Sequence, residues 1–231
     1  MNQNNNSVHH AIDGLLYGFT EYNGTGGHSK SAGSIYQIFV TPKASFDEKV
    51  AKLDAWVDAH PACEPLREYL FDLLMTHFIR EEGTSEAFFN SKEWDRIEEE
   101  YADRGSELLD VITYIDECHE VEVIPSIEDF IYEYLLMEDD PDKETMTLYE
   151  PLIRHKALVD EILEDIIEET VHEDDNTLGP LLQALLIYFS EPAEPEGVPV
   201  ALNDIGGSSA ETSALTCCIL FYDRGIDGAS L

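Results

Sequence analysis

The chain has 231 residues, enough for one domain with a real core, and 43% of them are hydrophobic, the ordinary share of a folded globular protein. Its charge is not ordinary: 49 Asp and Glu stand against 13 Lys and Arg, a formal net charge of −36. Such a chain repels nucleic acid and anionic membranes and attracts basic proteins. With no Lys/Arg cluster to supply a basic footprint, it is not expected to bind nucleic acid directly.

The leading residues Met1, Asn2, Gln3, Asn4, Asn5, Asn6 and Ser7 are polar, with neither the basic nor the apolar region of a signal peptide. Residues 1–10 read as a disordered lead. No apolar stretch approaches the ~20 residues of a membrane helix, so the expected compartment is the cytoplasm. In 11–22, the apolar Leu15, Leu16, Tyr17, Phe19 and Tyr22 suit a strand or a short helix. A Gly/Ser loop over 23–34 leads to Ile35, Tyr36, Ile38, Phe39 and Val40, β-branched and aromatic and ended by Pro42. Residues 11–43 are therefore expected to form an N-terminal strand pair.

From 44 to 190 the pattern is helical. Ser45 and Glu48 form a capping box ahead of the stripe Phe46, Val50, Leu53 and Val57, which His60-Pro61 ends. Pro65 opens a second helix with Leu66, Tyr69, Leu70, Leu73, Leu74 and Phe78 inward, running to Gly83. A third carries Trp94, Ile97 and Tyr101 and stops at Gly105. Ser106 opens a fourth, with Leu108, Leu109, Val111, Ile112 and Ile115, and Ser126 with Asp129 opens a fifth. The longest helix is expected over about 149–172, with Leu158, Ile162, Leu163 and Ile166 on its core face. The last, 177–189, is apolar nearly all round and should be the most buried.

Residues 191–231 hold a Pro/Gly linker (191–197), a short strand at 198–202 and a strand-like run at 214–222, expected to pack on the same domain. The fold class read from these elements is mainly α (α+β). It is a bundle of about seven helices with a small antiparallel sheet formed by the N- and C-terminal strands. No internal repeat is present.

The acidity is concentrated. Residues 98–175 hold 28 acidic and 4 basic residues, a charge only a solvated surface tolerates. On the longest helix Asp160, Glu161, Glu164, Asp165, Glu168 and Glu169 fall opposite the apolar stripe, ~5–6 Å from one another at the i, i+3 and i, i+4 spacings. Glu128, Asp129 and Glu133 extend this surface, with Tyr132 off the apolar face as an aromatic anchor among carboxylates. Ordinary helix faces interleave Lys with Glu and gain stability from the pairs. This chain forgoes that gain helix after helix, which points to recognition rather than folding. Generic solubility and high-salt adaptation are the competing explanations.

Catalytic patterns are incomplete. Asp116/His119 and Glu169/His172 have the i, i+3 spacing of carboxylate-bridged di-iron bundles, but both histidines fall at helix ends, where the dipole favours them. Residues 23–31 have the glycines of a phosphate loop, yet Ser29 stands where Gly must precede Lys30-Ser31. Asp140, Asp142 and Glu144 alternate as in an EF-hand, without its central glycine and with Pro151 in its last position. Cys63, Cys118, Cys217 and Cys218 make no C-x-x-C, and the adjacent pair reads as two small buried residues.

The expectation is therefore no enzyme, no cofactor and no metal. The chain is read as an acidic interaction factor that occludes the basic nucleic-acid-binding surface of a partner protein, helix-borne carboxylates standing in for phosphates. In charge and helicity, and in no motif, it resembles phage-encoded nucleic-acid mimics, which implies an inhibitor of a nuclease or other RNA- or DNA-binding enzyme, of phage or immunity type. The alternatives are a helical adaptor or chaperone for a basic client, and a carboxylate/His metal-dependent bundle enzyme. An unpaired edge strand would also allow a homodimer.

Overall fold

The computed structural model describes residues 5–82, 86–101, 104–130, 179–190, 195–205 and 208–227. These residues are mainly helical, and no strand occurs among them. The elements are α1 (Asn5–Tyr22), α2 (His28–Phe39), α3 (Phe46–Ala59), a 3-10 turn (Pro61–Leu66) and α4 (Arg67–Glu82). The short α5 (Glu86–Phe89), α6 (Lys92–Tyr101) and α7 (Leu108–Glu120) follow. After the gap come α8 (Pro180–Phe189), α9 (Val198–Ile205) and α10 (Ala210–Asp227).

Between 44 and 130 the local chemistry acts as its residue types require. Ser45 accepts from the Glu48 N–H while the Glu48 carboxylate accepts from Ser45 N–H, closing the capping box at the start of α3. Phe46, Val50, Leu53 and Val57 are all buried against the core. Ser126 caps the turn Ile127–Asp129 through the Asp129 N–H. In α8 every side chain from Leu182 to Phe189 is buried, as its apolar circumference demands.

The two ends of the chain correct the sequence expectation. The small antiparallel sheet is not formed: the residues assigned to its strands are the helices α1, α2, α9 and α10. Helix α1 already begins at Asn5, with Val8 fully buried, so residues 5–10 are not a disordered lead. In α2 the buried Ala32, Ile35 and Phe39 recur at i, i+3 and i+7, a helical period beneath a strand-like composition. In α10 residues 212–220 are all buried, and a helix enclosed on every side shows no amphipathic period. Without a strand edge among the described residues, the edge-pairing argument for a homodimer lapses.

The end segments do pack together, as an antiparallel helix pair. Gly14 faces the Cys217 carbonyl and Gly18 the Ser213 carbonyl so closely that a Cβ on either would lie 2.3 Å from the oxygen. Ser213 Oγ donates to the Gly18 carbonyl at 2.9 Å, and Tyr22 Oη to that of Ser208 at 2.7 Å. Helices α8 and α9 flank this pair, and Thr212 Oγ1 bonds Gln183 Oε1 at 2.8 Å to join α8 to α10. Helix α4 lies between α1, α2, α3 and α7, with every residue from Leu70 to Phe78 buried.

Candidate functional site

The outward carboxylates stand out because the arginines are occupied elsewhere. Each arginine among the described residues pairs with carboxylates, most of them at joints between elements. Arg67 of α4 bonds Asp54 (2.9 Å), Asp58 (2.6 Å) and Glu64 (2.8 Å). Arg104 bonds the same Asp54, and the two guanidiniums, Arg104 foremost, hold that carboxyl below its usual range. Arg96 spans to Asp47 and Glu100, and Arg224 reaches Glu196 at 3.6 Å. Arg80 of α4 bonds Asp116 of α7 and Ser7 of α1, and its guanidinium lies 5.0 Å from the ring centre of Tyr222 of α10. Tyr222 Oη donates to Asp116 at 2.9 Å, so four helices meet at one cation.

Much of what remains faces solvent as net negative charge, although α6 also exposes Lys92 and the Arg96 that pairs with Glu100. Helix α6 turns Trp94, Ile97 and Tyr101 to the core and exposes Glu93, Asp95, Glu98, Glu99 and Glu100. Residues 105–130 contain eight acidic residues and no Lys or Arg. On α7, Asp110, Glu117 and Glu120 are exposed on the side away from the buried Val111, Ile112, Ile115 and Cys118.

Of the residues assigned to partner binding from sequence, Asp129 is exposed just after the Ser126 cap, at the end of this acidic run, and Glu128 is its neighbour in the same turn. Tyr132, Glu133, Asp160, Glu161, Glu164, Asp165, Glu168 and Glu169 lie outside the described residues, as do the expected helix over 149–172 and Glu169/His172. The pair Asp116/His119 is divided: Asp116 serves Arg80 and Tyr222, whereas His119 Nε2 meets Asp223 at 2.6 Å. Among the described residues no group of three or more His, Cys, Asp and Glu could hold a metal ion. The glycine-rich segment is a loop followed by α2, and helix α1, not a strand, leads into it. Cys217 and Cys218 are both buried free thiols, with Cys217 pushed up to about 12 by burial.

Sequence reasoning missed a cleft of about 620 Å³ where α4, α6 and the start of α7 meet. Its walls are apolar, with Phe71, Met75 and Ile79 from α4, Trp94 and Ile97 from α6, and Leu109 from α7. Among the described residues its charged lining is all acidic: Glu68, Asp72, Glu98, Glu107 and Asp110. Asp72 is fully buried and accepts from the Ser106 N–H (3.0–3.1 Å) and hydroxyl, pinning the start of α7. Glycine at 105 permits this approach, because a Cβ there would stand 2.8 Å from Asp72 Oδ1. Burial first, then Asp110 and Glu107, raise the Asp72 carboxyl to about 7 against the pull of the Ser106 bonds. Asp110, solvent-accessible but part-enclosed where it lines the cleft, is raised as well, by that partial burial first and then by Glu107. The one signal in the sequence was Asp72 itself, a carboxylate at a core position between Phe71 and Leu73.

No helix among the described residues is long and apolar enough to cross a membrane. Comparisons with protein-family models, with curated proteins and with solved structures find no match for this chain.

Proposed function

We propose that the protein is an acidic interaction factor that binds and covers a basic, nucleic-acid-binding surface of a partner protein, and is not an enzyme. The observation that carries this reading is the division of labour among charges. The arginines of the described residues are used in intramolecular pairs, α6 exposes five carboxylates against Lys92 and Arg96, and α7 turns carboxylates outward with no Lys or Arg along its length. Like-charge neighbours at i, i+3 and i, i+4 each cost a few tenths of a kcal/mol, so the fold alone gives no reason to keep them. Opposed to Arg and Lys of a partner, the same carboxylates form charge-assisted hydrogen bonds of the kind phosphates form. Glu128, Asp129, Tyr132, Glu133 and the 160–169 carboxylates supply the face, the inhibited partner being a nuclease or other RNA- or DNA-binding enzyme of a phage or immunity setting. The place of action is the cytoplasm.

The test is capture on the immobilised full chain at about 50 and 500 mM salt, followed by displacement with duplex DNA and with RNA. The reading expects an identified basic, nucleic-acid-binding protein that is retained at low salt, lost at high salt, and released by nucleic acid. Retention unaffected by salt, or a partner that holds nucleic acid and this chain together, overturns it.

A further inference from the structure

We infer that the α4/α6/α7 cleft is the seat for one kind of partner segment: a short basic–apolar stretch whose aliphatic or aromatic side chains enter the cleft while flanking Lys or Arg meet its acidic residues. This rests on the functional reading above and deepens it, by adding to the 128–169 carboxylates a second contact that takes an apolar part of the same basic partner. Three observations converge. The cleft's volume, about 620 Å³, lies inside the roughly 300–1,000 Å³ of ligand pockets. Its walls are apolar, with Met75, Phe71 and Ile97 buried and Trp94 and Leu109 half-buried, which gives hydrophobic side chains a place to leave water.

The third observation is charge. Glu68, Glu98, Glu107 and Asp110 are exposed, and among the described residues no Lys, Arg or His lines the cleft. An anion is refused there, and so is an apolar segment with acidic flanks. That disfavours the chain's own stretch 131–178, which carries 16 acidic and 3 basic residues, and a second copy of this chain at −36. Burial first, then Asp110 and Glu107, raises the Asp72 carboxyl, and burial and then Glu107 raises that of Asp110; a partner's Lys or Arg at the cleft favours their charged forms.

The experiment uses the full chain and a fluorescein-labelled helical peptide of alternating Leu and Lys blocks, with affinity read by anisotropy. A second peptide keeps every Lys and replaces Leu by Ser. Two charge-matched variants accompany it: Glu98→Gln/Glu107→Gln/Asp110→Gln at the cleft, and Glu117→Gln/Glu120→Gln/Glu122→Gln at the far end of α7. The expected result is that the Leu peptide binds roughly tenfold more tightly than the Ser peptide. The cleft triple should weaken it roughly tenfold, and the distal triple less than about threefold. Equal binding of the two peptides, or equal loss in the two triples, overturns the cleft assignment while leaving general attraction to basic surfaces standing. Failure of both peptides to bind at low salt removes the functional reading itself. Retained far-ultraviolet circular dichroism of both triples excludes misfolding as the cause.

Discussion

Replacing Asp72 by Asn tests the electrostatics of the cleft at a single atom pair. Asp72 is fully buried, its carboxyl is raised to about 7 from 3.8, and its partners are the Ser106 N–H and hydroxyl, both of which an Asn side chain can still serve. A group whose folded value lies above its unfolded value binds more protons in the folded state. Its contribution to stability is therefore fully present below the unfolded value of 3.8 and is lost as pH rises through about 7. Roughly three pH units at ~1.36 kcal/mol each make that loss about 4 kcal/mol. Asn cannot ionise and does not suffer it. Urea midpoints of both proteins between pH 4 and pH 8 should show Asp72→Asn gaining about 4 kcal/mol on the native chain, most of it between pH 4 and pH 7. Carboxylates remote from Asp72 titrate alike in both proteins and cancel in the difference, which leaves Asp72 and its coupled neighbours Glu107 and Asp110. A difference that stays flat across that range refutes the reasoning, because the carboxyl would then not feel its burial.

Three further outcomes follow from the packing. Gly18→Ala should destabilise the fold by about 1–3 kcal/mol, since the new Cβ meets the Ser213 carbonyl at 2.3 Å. Gly33→Ala, which meets nothing within 4 Å on α2, should stabilise by roughly 0.5–1 kcal/mol, and thermal unfolding of the two variants checks the opposite signs. Arg80→Met should cost about 2–3 kcal/mol by leaving Asp116 with only Tyr222 at a four-helix joint, measured by urea unfolding. His77 is buried, its Nδ1 makes no hydrogen bond, and burial foremost lowers its pKa below 6.5, with Lys49 adding to the effect. The neutral ring contributes stability that is present above pH 6.5 and lost as pH falls below it. His77→Gln should therefore flatten the decline between pH 6.5 and pH 5, and an unchanged slope counts against this.

The middle of the described fold was legible because its signals are local. The Ser45/Glu48 box, the Phe46–Val57 stripe and the Ser126 cap each depend on residues within a few positions, and each stands as the spacing requires. The ends were misread for a physical reason. Helix α10 is enclosed along residues 212–220, so its apolar run has no period by which to tell a buried helix from a buried strand. In α2, Ile35, Tyr36, Ile38 and Phe39 have the side chains of a strand, and tertiary packing on Ala32, Ile35 and Phe39 decides for helix. The cleft could not be read in advance at all: it joins residues of α4 to residues of α6 and α7 some 30 positions away, and only Asp72 marked it. The concentration of charge, by contrast, is a property of sequence, and α6 and α7 carry their share on outward faces.

The central claim is that the acidic face recognises a basic protein surface, and neutralising that face tests it most directly. A variant with amides in place of Glu128, Asp129, Glu133, Asp160, Glu161, Glu164, Asp165, Glu168 and Glu169 is compared with the native chain in the low-salt capture assay, with helicity monitored by circular dichroism. The account predicts that helicity is retained and capture of the basic partner is lost. Undiminished capture by the neutralised chain would contradict it and would leave those carboxylates serving solubility alone.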